Sequence, residues 1–238
     1  MTSPLQTLLA VQEHDTALDQ LRHRRATLPE RAHLAAVEKR IAEVEAQLAD
    51  ARARRDEVAG RQAALEAEIE TSDRRITEVE KRLYGGTVSA SRELTAMSEE
   101  VDHLKARRSG FEDRVLEVME EREPVDAEVA QLETDRVALD EEKAAAEAAV
   151  AVAVAEVDAE IEVVAAERTT LAEGVPADLD ATYEKLRGKL GGVGAAKLNG
   201  ANCSGCHLTL PATELDRVRH AGPDEVVFCD QCGRILVH

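Results

Sequence analysis

Tyr84-Gly85-Gly86-Thr87-Val88-Ser89-Ala90-Ser91 breaks a helical pattern that otherwise runs to about Glu173, and its reading decides the fold. The glycine pair supplies the positive φ that a chain reversal needs. On either side the apolar residues recur in alternating steps of four and three. Stepping from Val37 reaches Ile41, Val44, Leu48, Ala51, Val58, Leu65, Ile69, Ile76, Val79 and Leu83, so eleven of fourteen positions are apolar. Stepping from Leu94 reaches Met97, Val101, Leu104, Phe111, Val115, Val118, Val125, Val129, Leu132 and Leu139. A period of 3.5 held over this many heptads is a coiled-coil seam. Residues 4–83 and 92–171 each number 80, which predicts an antiparallel hairpin folded at 84–91 with facing residues summing to roughly 176. A parallel intermolecular coil has no need of a reversal, although whole hairpins can still pair as dimers. A second reading of the loop makes Tyr84 and the tip a docking point.

Composition agrees. Of 238 residues, 33% are charged and 2% aromatic, with two Phe, two Tyr and no Trp. A globular core of this size draws heavily on rings, which bury large apolar areas. Four rings cannot supply one, whereas Ala-, Glu-, Leu- and Arg-rich usage suits long helices. No stretch has the ~18 apolar residues that span a bilayer, and Met1-Thr2-Ser3-Pro4-Leu5-Gln6 lacks the features of a secretory leader. The expected setting is cytoplasmic. Within the arms, Pro29 fits the first turn of a new helix, and Pro124 is expected to kink the second arm opposite Ala51–Arg54. Arg108, Arg122 and Arg136 fall on the second seam. Their alkyl stems are expected to cover it while the guanidinium heads reach flanking carboxylates.

The C-terminal region carries the strongest chemical signal. Cys203-Ser204-Gly205-Cys206-His207 and Cys229-Asp230-Gln231-Cys232-Gly233 are two Cys-x2-Cys knuckles separated by twenty-two residues. In a reducing compartment paired cysteines read as metal ligands before disulfides. Four thiolates in a tetrahedron satisfy Zn²⁺ and leave no open position. Gly205 and Gly233 are expected at left-handed turns. The same thiolates also suit an iron–sulfur centre, while His207 is expected at the surface or behind the ligands. So small a region usually needs a metal to fold. Short strands are expected at 196–199, 208–210, 226–228 and 235–237, a helix from Pro211 through Arg219, and a connecting helix from Asp178, as N-cap, to Lys189.

Taken together, the Leu83-Tyr84-Gly85-Gly86 turn, the Tyr183-Glu184-Lys185-Leu186-Arg187 helix, Cys203-x2-Cys206-His207, Leu210-Pro211-x2-Glu214-Leu215 and Phe228-Cys229-x2-Cys232-Gly233-Arg234-Ile235-Leu236 resemble the bacterial C4-type zinc-ribbon coiled-coil family. The resemblance covers nearly the whole chain. It implies zinc on Cys203, Cys206, Cys229 and Cys232, and a binding role described for the family as directed to nucleic acid. In some flagellated members it implies association with the alternative sigma factor for nitrogen and flagellar genes. The Asn-Pro-Lys common after the tip is replaced here by Ala90-Ser91-Arg92, which weighs against a docking role for the tip.

Charge narrows the function. The net charge is −18. Residues 1–190 hold 26 basic and 43 acidic side chains, whereas residues from 191 hold 4 and 5. An acidic hairpin repels a phosphate backbone, whose affinity rests on Lys and Arg. The candidate phosphate or partner contacts are therefore Lys185, Arg187, Lys189, Lys197, Arg217 and Arg219. No phosphate-cradling loop, nucleophile elbow or zinc-protease helix is present, so a non-enzymatic protein is expected, with neither a small-molecule substrate nor a membrane partner. The reading is a mainly α protein: an antiparallel coiled-coil hairpin over 1–175, a connecting helix over 176–193 and a four-cysteine zinc ribbon over 194–238. It is expected to hold one structural Zn²⁺ per chain and to bind nucleic acid through the ribbon and adjoining helix. The alternative is a protein adaptor or chaperone-like regulator, as a monomer or hairpin dimer.

Overall fold

A computed structural model describes residues 3–222 and 225–237. The chain runs through α1 (Pro4–Ala26), α2 (Pro29–Tyr84), α3 (Ser91–Ala172), α4 (Ala177–Lys189), β1 (Ala195–Asn199), β2 (Asn202–Cys203), α5 (Ala212–His220), β3 (Val227–Phe228) and β4 (Ile235–Val237). Ser3 caps α1, its Oγ accepting from the Gln6 N–H. Pro29 opens α2, at a position where a helix needs no N–H. Gly86 takes a φ of 70° in the reversal, while a Cβ on Gly85 would stand 2.5 Å from the Lys81 carbonyl oxygen. The turn therefore needs one glycine for its backbone angle and the other for space.

Two compact units emerge, one of Ala35–Ala145 and one of Met1–Leu34 with Ala146–His238. In the first, the seams of α2 and α3 meet as small apolar clusters. Val79 and Ile76 pack with Val101, Val58 and Leu65 with Val118, Leu48 and Ala51 with Val129 and Leu132, and Val37 and Ile41 with Leu139. The antiparallel pairing is as expected, but its register is shifted. In the seam, Leu48 with Leu132, Ala51 with Val129 and Val79 with Val101 each sum to 180, against the roughly 176 counted from the loop. Side-chain interlock in the seam sets this register, and the midpoint of the loop does not. Pro124 accordingly faces the region beyond Arg54. It sits on the exposed side of α3, which continues through it, so the Glu120 carbonyl it leaves unbonded can reach water. The three seam arginines are half-buried with their heads paired: Arg108 to Asp73 and Glu112, Arg122 to Asp126, and Arg136 to Glu45 and Asp140.

In the second unit a four-stranded sheet has the order β2-β1-β4-β3, with β1 and β4 parallel and the other pairs antiparallel. Successive side chains of a strand point to opposite faces, and β4 is buried on both. Ile235 and Val237 join Leu5, Leu8 and Val11 of α1 and Leu179 and Tyr183 of α4 in one core. Leu236 joins Ala196, Leu210, Val218, Val227, Cys203 and Cys229 in another. The sheet thus has helices on one face and the cysteine knuckles with α5 on the other.

Details of the ribbon differ from expectation. Residues 208–210 contribute a single bridge, Asn202 to Thr209, and the strand paired with β1 is Asn202–Cys203. The Leu208 carbonyl is taken by the Cys203 N–H, which ends the ladder there. At α4 the capping position belongs to Pro176, whose carbonyl accepts from the Asp180 N–H. Asp178 lies inside the first turn, where its charge complements the helix dipole.

Candidate metal centre

The four cysteine sulfurs lie within 4.8 Å of one another, and Cys203 Sγ stands 3.9 Å from Cys232 Sγ. Zn–S bonds of ~2.3 Å in a tetrahedron place sulfurs about 3.8 Å apart, so the spacing fits. Each knuckle closes the same way. The His207 N–H donates to the Cys203 carbonyl at 2.8 Å, and the Gly233 N–H donates to the Cys229 carbonyl at 2.7 Å. Both closing residues are left-handed, with φ of 61° and 73°. The left-handed place in the first knuckle therefore belongs to His207 and not to Gly205. Gly205 is needed for space, because a Cβ there would collide with the Arg234 side chain and press on Ala196. His207 is exposed and stands outside the four-sulfur cluster.

Electrostatics differ around the ring of sulfurs. Burial pushes the Cys203 thiol up, and pushes Cys229 up to about 12. Burial acts on Cys232 in the same direction, but hydrogen bonds from the Arg234 backbone and side chain, with smaller help from Cys229 and Cys206, hold it down to about 7. Arg234 also donates from Nε to the Val193 carbonyl and from Nη2 to the Leu190 carbonyl, both at 3.0 Å. One guanidinium therefore faces the thiolates and ties the ribbon to the end of α4. Four thiolates on Zn²⁺ leave a charge of about −2, which this cation opposes. With four protein ligands the shell is closed, and the metal's contribution is structural.

These observations meet the comparisons with known proteins. The model for the CT398-like coiled coil hairpin domain matches residues 11–191, and that for the C4-type zinc ribbon domain matches residues 202–236. The chain belongs to the CT398-like coiled-coil hairpin family. An uncharacterized protein of Mycobacterium tuberculosis is 31% identical over 231 residues, covering 97% of this chain and 94% of its own. A solved structure from Mycobacterium smegmatis has a TM-score of 0.91 at 28% identity, with full coverage of both chains. CT398 of Chlamydia trachomatis (TM-score 0.56, 22% identity, 98% and 96% coverage) shares the fold. So does the HP0958 protein of Helicobacter pylori (0.53, 17%, 99% and 98%). Within this hairpin family member the cysteines form a C4 site for one Zn²⁺. Among the described residues no helix is long and apolar enough to cross a membrane.

Two of the six candidate cationic contacts are engaged in ion pairs within the chain. Arg187 is spent on α1, its Nη2 reaching Asp19 at 3.1 Å and its Nε lying 3.5 Å from Asp15. Arg217 holds Asp230 at 2.9 Å. Lys185, Lys189, Lys197 and Arg219 are exposed.

A buried polar hub went unrecognised in the sequence. Asp15, 3% exposed, accepts from the Tyr183 hydroxyl at 2.7 Å and from Arg168 Nε and Nη2 at 3.2 and 3.3 Å. Arg168 also pairs with Glu184. Burial first, then the bond to Asp15, pushes the Tyr183 hydroxyl pKa far up. One turn earlier, Gln12 Oε1 accepts from the Gly194 and Ala195 N–H groups while its Nε2 donates to the Gly192 carbonyl. The available signal was Gln12 and Asp15 on the apolar stripe of Leu5, Leu8, Val11 and Leu18.

Proposed function

We propose that this chain is a non-enzymatic adaptor that binds a protein partner along α3. One observation carries this reading. A groove of about 570 Å³ is lined by Leu116, Met119, Glu120, Arg122, Glu123 and Asp126 of α3 with Gln62 of α2. Leu116 is 60% and Met119 49% exposed. A Met beside Leu on open surface is an adaptable contact for apolar side chains. The surroundings are acidic: residues 116–145 hold eleven acidic and three basic side chains. A cationic amphipathic helix of a partner suits both features, with apolar anchors in the groove and Lys or Arg against the rim. A cytoplasmic setting, where thiols stay reduced, suits a C4 site.

Nucleic acid at the ribbon is the second reading. It is favoured by exposed Lys185, Lys189, Lys197 and Arg219, none with an ion pair among the described residues. A photoreactive residue at position 119, introduced in the source cell, discriminates. The adaptor reading expects cross-links to one discrete protein that Leu116→Glu erases. Absence of protein adducts, together with low-salt binding of labelled RNA that Lys197→Glu weakens, would overturn it in favour of the second.

A further inference from the structure

The Leu210-Pro211-Ala212-Thr213-Glu214-Leu215 segment supplies no thiolate, yet Glu214 is only 3% exposed on a helix of nine residues. Its Oε1 accepts from the Asp230 backbone N–H at 2.8 Å. Asp230 stands between the ligands Cys229 and Cys232. The other oxygen, Oε2, is buried and has no partner among the described residues. Burying a carboxylate is costly, and a single backbone N–H offsets only part of that cost. The first turn of α5 favours a negative charge there, but that does not account for one oxygen being buried without a partner among the described residues. What the carboxylate does accomplish is to fix the Asp230 N–H, inside the second knuckle, through a charge-assisted bond of defined direction. From the same face of α5, Arg217 Nη2 holds the Asp230 carboxylate from outside. The chain inserts this helix between its two knuckles.

We propose that Glu214 is a positioning residue of the zinc site, setting the angle at which Cys229 and Cys232 present their sulfurs and so controlling metal retention. Partners behind the ligands typically change metal affinity by about ten- to a hundred-fold. The proposal rests on the zinc assignment and is independent of the docking reading.

The test uses the full chain loaded with Zn²⁺, followed by release to a chromophoric chelator, and a parallel sample loaded with Co²⁺ as a spectroscopic probe. Glu214→Ala is expected to release zinc at least ten-fold faster and to weaken or shift the thiolate-to-cobalt charge-transfer bands. Glu214→Gln keeps an acceptor oxygen of the same shape and is expected to stay within about three-fold of wild type, with a wild-type cobalt spectrum. Equal release by all three proteins, or Glu214→Gln failing as badly as Glu214→Ala, overturns the proposal. A wild-type chain that takes up no zinc overturns the metal assignment itself.

Discussion

Replacing Tyr183 by Phe removes one oxygen from the hub that joins α1, α3 and α4. The ring is fully buried and its hydroxyl donates to Asp15 at 2.7 Å, so the substitution opens no sizeable cavity and isolates the hydrogen bond. A bond to a charged group contributes about 1.5–3 kcal/mol. Asp15 keeps Arg168 at 3.2 Å and Arg187 at 3.5 Å, so it is not left unpaired, and the lower end, about 1.5–2 kcal/mol, applies. For a chain of this length ~1 kcal/mol moves Tm by about 2–4 °C, giving a fall of about 3–8 °C in the unit containing α1 and α4. Hydrogen exchange of peptides from α1 and α4 reads that unit separately, which matters because two units need not melt together. A second signature comes from alkaline pH. The folded state holds the Tyr183 proton far above the ordinary tyrosine value of about 10, so above that pH the unfolded chain binds fewer protons and stability falls, by about 1.4 kcal/mol per unit. Tyr183→Phe should lack this component of the alkaline loss. Unchanged exchange in α1 and α4, or the same effect of Tyr183→Phe with Asp15→Asn already present, would refute the hub as a coupled network.

Three further outcomes are expected. Cys229→Ser, or chelation of the zinc, should disorder the face built from Ala196, Leu210, Val218, Val227 and Leu236 while far-UV helicity largely persists, because α2 and α3 bury their own seam; collapse of the helical signal on metal removal would contradict this. Ser72 is buried in the seam but bonds only back to the Glu68 carbonyl of its own helix, so Ser72→Ala should raise hairpin stability by about 0.5 kcal/mol, and a measurable loss in denaturant unfolding would count against it. At the knuckles, His207→Gly should be accepted with zinc retained, whereas Gly233→Val should lose the metal, because both positions have positive φ and a β-branched residue tolerates that poorly; elemental analysis of the purified variants decides it.

The legible parts of this molecule are the local and the periodic ones. The seam could be read because its period persists over many heptads, and the metal centre because each knuckle places two ligands within four residues. The register of the hairpin could not, since it depends on how Leu48 and Ala51 interlock with Val129 and Leu132 and not on counting from the loop. Nor could the attachment of the ribbon. Asp15 and Tyr183 are 168 positions apart, and Gln12 meets Gly194 across 182. Neither pairing leaves a spacing to find.

Polar residues on an apolar stripe come closest to a signal, yet they carry two opposite meanings. Gln12 and Asp15 interrupt the stripe of α1 because strand β1 and the α3 and α4 side chains approach there and need partners. Ser72 interrupts the stripe of α2, and among the described residues its hydroxyl bonds only to its own helix. In sequence the two interruptions look alike. The difference is whether another element supplies donors at that level, and only the fold decides it. Hence the opposite signs expected for Ser72→Ala and Tyr183→Phe: one removes a polar group that the packing does not use, the other removes one of the bonds that hold three helices together.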